Sequence, residues 1–63
     1  MNTPREREVY FEVTRLGATV KVAAIDGATG IEVSVVGPAS AAASDLQQLA
    51  LAKLKARLAK EGK

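Results

Sequence analysis

Between Val9 and Val36 apolar and polar residues alternate in three separate runs, and glycine or proline separates or ends them. A period of two sends successive side chains to opposite faces, so each run reads as a strand with one buried face. In the first, Val9, Phe11 and Val13 share a face against Glu8, Tyr10, Glu12 and Thr14. In the second, Val20, Val22 and Ala24 oppose Thr19, Lys21, Ala23 and Ile25. In the third, Ile31, Val33 and Val35 oppose Glu32, Ser34 and Val36.

The joints fix how these runs pair. Leu16 and Thr19 flank Gly17-Ala18, a two-residue loop with glycine first, which suits a type II′ hairpin. That turn sets Val13 opposite Val22 and Phe11 opposite Ala24, apolar against apolar. A slip of one residue would destroy the match. The second joint, Gly27-Ala28-Thr29-Gly30, holds two glycines and could be taken for a phosphate cradle. A phosphate loop needs a helix N-terminus behind it and usually a lysine. Here a strand follows. A hairpin explains both glycines: Asp26 bonds amides ahead of it, and Gly30 takes a left-handed conformation. Ala24 then faces Val33, and Val22 faces Val35.

Gly37-Pro38 is expected to end the third strand. Beyond it the apolar spacing becomes helical, with the start at Ser40 or at Ser44, the latter forming a capping box with Gln47. Asp45 suits the positive end of the helix and Lys53, Lys55, Arg57 and Lys60 the negative end. Gly62 is a stop signal. Ala43, Leu46, Ala50, Leu51, Leu54 and Leu58 share one arc, expected to cover the Val/Phe face of the sheet. The expected fold is α+β, a β-β-β-α meander packed on one helix, with residues 8–61 as a single domain and 1–7 as a disordered tail.

The chain has 63 residues and neither Cys nor His. A domain this small buries only about 60% of its unfolded surface. With no disulfide and neither Cys nor His to hold a metal, a second subunit is the support left open. No cofactor or metal is expected. Glu8 and Glu12 lie about 13 Å apart along a strand, too far for one acid–base site. Lys21, diagonal to Glu12, reads as a surface ion pair. Ser34 and Ser40 have no base beside them, so no enzyme is expected. The absence of an apolar leader or a membrane-length run points to a cytoplasmic protein without membrane contact.

Three features remain after the fold is accounted for. The outer sheet face stacks Tyr10, Ile25 and Glu32, then Glu12, Ala23 and Ser34, then Thr14, Lys21 and Val36. It is either an ordinary mixed surface or a contact face. A second stripe on the helix holds Leu49, Ala52, Ala56 and Ala59, suited to a seam with another helix. The candidate interface is therefore Tyr10, Ile25, Val36, Leu49, Ala52 and Ala56. With two sheet edges open, these features favour a homodimer, formed edge to edge or by helix exchange, that binds an unknown protein partner. The third feature is a basic patch at Lys53, Arg57 and Lys60. Residues 1–39 carry net −1 and residues 40–63 net +3. Nucleic-acid binding through this patch or the sheet is the alternative function. It is disfavoured, because the charges wrap round the helix and the sheet is acidic.

The stretches "VYFEVTRLG", "VKVAAIDGATGIEV" and "VVGP" resemble a family of very short, uncharacterised alphaproteobacterial proteins, some of which carry a serine hydroxymethyltransferase label. The resemblance covers residues 9 to about 58 and implies fold and cellular class, with no activity or ligand. The label does not suit this chain, since 63 residues cannot build a pyridoxal phosphate enzyme. The family commonly has Pro where this chain has Gly27, which implies a looser loop here.

Overall fold

A computed structural model describes residues 8–62. The tail expected over residues 1–7 lies outside them. The elements are β1 (Val9–Leu16), β2 (Thr19–Asp26), β3 (Glu32–Pro38) and α1 (Ala43–Lys60). The strands form one antiparallel sheet in the order β1-β2-β3. This is the α+β, β-β-β-α meander that the alternation and helical spacing call for. Among the described residues no helix is long and apolar enough to cross a membrane.

Both hairpins take the register that the apolar rows require. Val13 pairs with Val22 and Phe11 with Ala24, and then Ala24 with Val33 and Val22 with Val35. Gly17 has φ +61°, and no described non-glycine residue has positive φ, so only the first turn position is left-handed, as in type II′. In the second turn the Asp26 N–H donates to the Ile31 carbonyl at 2.9 Å, and the Gly30 N–H donates to the Asp26 carbonyl at 2.8 Å. Gly30 takes φ +78°. The fully buried Asp26 carboxylate accepts the Thr29 N–H at 2.9 Å and the Thr29 hydroxyl at 2.7 Å. The Asp26 turn thus forms, with Thr29 as a partner of its carboxylate.

The third strand runs further than its sequence implies. Gly37 pairs with Val20 and Pro38 with Thr19. Hydrogen-bonded and open positions alternate along an antiparallel pair. The Asp26–Ile31 bond marks Asp26, Ala24, Val22 and Val20 as the β2 residues bonded to β3. Pro38 therefore sits at an open position, where its missing N–H costs the ladder nothing. The ladder goes on past it, with the Ala39 N–H donating to the Ala18 carbonyl at 2.8 Å. Gly37 also has a packing role. A Cβ there would lie 2.8 Å from Leu46 Cδ2, so its absence lets the start of α1 close onto β3.

Neither serine caps α1. The N-cap is Ala42, with no side-chain bond to it. The turn closed by the Ala41 N–H on the Pro38 carbonyl brings the chain round one residue after Ser40, and Ser44 already lies inside the first turn. At the other end the Glu61 and Gly62 N–H groups donate to the Arg57 and Ala59 carbonyls, and Gly62 takes φ +78°, the expected stop.

The core is Val22, Ala24 and Val33 under Leu46, Ala50, Leu54 and Leu58. Here the structure corrects the expected packing. The helix packs on β2 and β3, not along β1. Phe11 and Val13, on the helix side of the sheet, stay 39% and 50% exposed. Leu51 is only half-buried and Ala43 is exposed. Lys21 forms no ion pair with Glu12 among the described residues.

The first ladder rung also corrects the reading of Gly27 as loose. Its N–H donates to the Glu8 carbonyl at 2.8 Å, and a Cβ there would lie 3.0 Å from that oxygen and 3.1 Å from Tyr10 Cε2. Gly27→Pro removes the donor and adds the crowding. It is expected to lower unfolding free energy by about 1–2 kcal/mol in urea titration, with Gly27→Ala losing less because it keeps the bond. Equal stability of Gly27→Pro and the parent would show that the rung contributes nothing.

Candidate interaction surface

The arrangement of β1 follows from the same alternation. Because the Glu8 carbonyl points at β2, so do the backbone groups of Tyr10, Glu12, Thr14 and Leu16. The N–H and C=O groups of Val9, Phe11, Val13 and Arg15 therefore point to the outer edge of the sheet. No strand of the described residues lies along that edge. The same residues carry the helix-side face of β1. Of these, Val9 is half-buried against the core, while Phe11 and Val13 are exposed. One strand thus presents an unpaired backbone edge and an uncovered apolar face together.

The β3 edge is different. Its outward backbone positions are Glu32, Ser34, Val36 and Pro38. The Ser34 carbonyl accepts a hydrogen bond from Lys53 Nζ of α1 at 2.8 Å, and Pro38 has no N–H to offer. A lysine and a proline are two of the means by which proteins blunt a sheet edge. The sheet therefore has one open edge and one guarded edge, where the sequence reading gives two open ones.

The interface residues expected from sequence lie on two separate surfaces, the outer sheet face and the helix, as their spacing implies. On the outer face Tyr10 neighbours Ile25, which is half-buried, while exposed Val36 lies opposite Lys21, two ladder rows away. Leu49, Ala52 and Ala56 are exposed on α1, across the sheet from that outer face. Leu49 is the largest of these, at 58% exposure. Of the basic patch, Lys53 holds the Ser34 carbonyl and Arg57 pairs with Glu61 at 2.7 Å, while Lys60 is exposed. The residues missed are Phe11 and Val13, placed in the core because they share its alternation. The available signal is a count of layers: one helix was asked to cover three strands.

Tyr10 lies on the outer face and donates its hydroxyl to Glu8 Oε1 at 3.1 Å. That hydrogen bond, then the negative charge of Glu8, raises the Tyr10 pKa above its ordinary value. Among the described residues no group of three His, Cys, Asp or Glu is placed to hold a metal.

Comparison with known proteins places this architecture in a family. Residues 6–61 match the family model DUF6898, a domain of unknown function, and the chain belongs to that family. No curated protein and no solved structure matches it.

Tyr10 is the only tyrosine, and the chain has no tryptophan, so phenolate absorbance reports this residue alone. Its titration midpoint is expected above 10.0, the ordinary value, and Glu8→Gln is expected to lower it. A midpoint that does not respond to Glu8→Gln would show that the Glu8 contact is not maintained in solution.

Proposed function

We propose that this chain is a small non-enzymatic module, cytoplasmic and homodimeric, whose role is structural or to hold another protein. The observation that carries this reading is the uncovered face of β1, where Phe11 and Val13 stand beside a core of only a few side chains. A large apolar residue gains stability when removed from water, at about 25 cal/mol per Å². A small domain with no disulfide has more to gain from that cover than a large one. Among the described residues Lys53 and Arg57 are engaged within the chain and Lys60 is not, which weakens the nucleic-acid alternative.

Light scattering across a dilution series tests the reading. A dimer mass that persists to low micromolar concentration is expected, and Phe11→Glu is expected to yield a folded monomer. A parent protein of monomer mass throughout would overturn self-association.

A further inference from the structure

We infer that two copies join through their β1 edges, antiparallel about a twofold axis at Phe11, to make one six-stranded sheet. This rests on the homodimeric reading above and chooses between the two dimers that the sequence leaves open. Three observations carry it. First, among the described residues nothing pairs with the β1 edge, whereas Lys53 and Pro38 blunt the β3 edge. Second, of the four residues with outward backbone groups, Val9, Phe11 and Val13 also carry apolar side chains on the helix side, and Arg15 ends the row. Pairing therefore satisfies the edge and shields Phe11 and Val13 in one step.

Third, the strand is complementary to itself with Phe11 on the axis. With Phe11 opposite the partner's Phe11, Val9 meets the partner's Val13, and the helix-side row is apolar from Val9 to Val13, with Arg15 beyond its end. These pairs supply roughly six backbone hydrogen bonds. On the outer face, Tyr10 meets the partner's Glu12. Shifting the axis to Glu12 would set it against the partner's Glu12 in a close pair of like charge, which is destabilising. Shifting it to Val13 would set Phe11 against the partner's Arg15 and Val9 against the partner's Gly17, breaking the apolar row. Twofold pairing of one patch with itself is an isologous contact, which closes at two copies.

Amide hydrogen exchange on the intact chain, at concentrations above and below dimer dissociation, tests this. At the higher concentration the Val9, Phe11 and Val13 amides are expected to exchange at least tenfold more slowly. Those of Glu32, Ser34 and Val36 on the β3 edge are expected to be unchanged. Val13→Pro removes an outward N–H without touching the β1–β2 ladder. It is expected to weaken the dimer at least tenfold while circular dichroism shows a folded chain. Val36→Pro, the matching change on the other edge, is expected to leave the dimer intact. A dimer by mass whose β1 amides gain no protection would overturn the edge pairing and leave the homodimer standing. Protection on the β3 edge would do the same. Monomer mass at every concentration would overturn both.

Discussion

An α-helix with its side chains is about 10 Å across, and neighbouring strands lie about 4.8 Å apart, so one helix covers two strands. Most of the surface of this chain follows from that mismatch. The helix settles on β2 and β3, where Gly37 lets Leu46 approach the sheet. Ala50, fully buried in the middle of the helix, has a side chain small enough to keep the two layers close. β1 is then held by its ladder to β2 and, at its first residue, by Val9 against the core. Sheet twist adds to the effect by rotating each strand relative to its neighbour by roughly 20–25°. The exposure of Phe11 and Val13 is thus a consequence of layer width rather than of any local feature of β1.

The helix also decides which edge of the sheet is available. Lys53 lies about one turn beyond Ala50, and its ammonium reaches the Ser34 carbonyl of β3. A charge that reads from sequence as part of a basic patch is used inside the domain. Arg57, on the next turn, pairs with Glu61 just past the end of the same helix. Such exposed contacts contribute little to stability, about 0–1 kcal/mol each. Their effect here is positional: Lys53 occupies an acceptor that another strand would need.

Much of this fold was legible because local and long-range signals agree. The alternation in three runs gave strand identity, the Gly17-Ala18 turn set one register, and the apolar rows demanded the other, all as observed. Asp26 and Gly30 were readable because their turn chemistry is local. What was not legible depends on relations across the fold. Pro38 stays in β3 because it falls on an outward-facing position, and that phase is known only once the strands are paired. The helix start depends on a turn closed at Pro38, so both candidate serines lost to Ala42. Phe11 and Val13 carry the same pattern as Val22 and Val33, and nothing in that pattern says where the helix lies. Tyr10, Ile25 and Val36 lie on the outer sheet face and Leu49 on the helix, the two separate surfaces that their spacing implies.

The asymmetry between the two edges bears on what kind of assembly this chain can enter. A sheet with two open edges can pair head to tail without limit, which is the route to fibres. A sheet with one open edge consumes it in a single twofold contact. The outermost strands of the resulting six-stranded sheet would both be β3, each with the Ser34 carbonyl held by Lys53 and with Pro38 near its end. The features that blunt β3 in the single chain would then protect both ends of the pair. Under the proposed pairing, one open edge and one guarded edge would favour a closed dimer over both a free monomer, which leaves Phe11 in water, and an open-ended array, which Lys53 and Pro38 oppose.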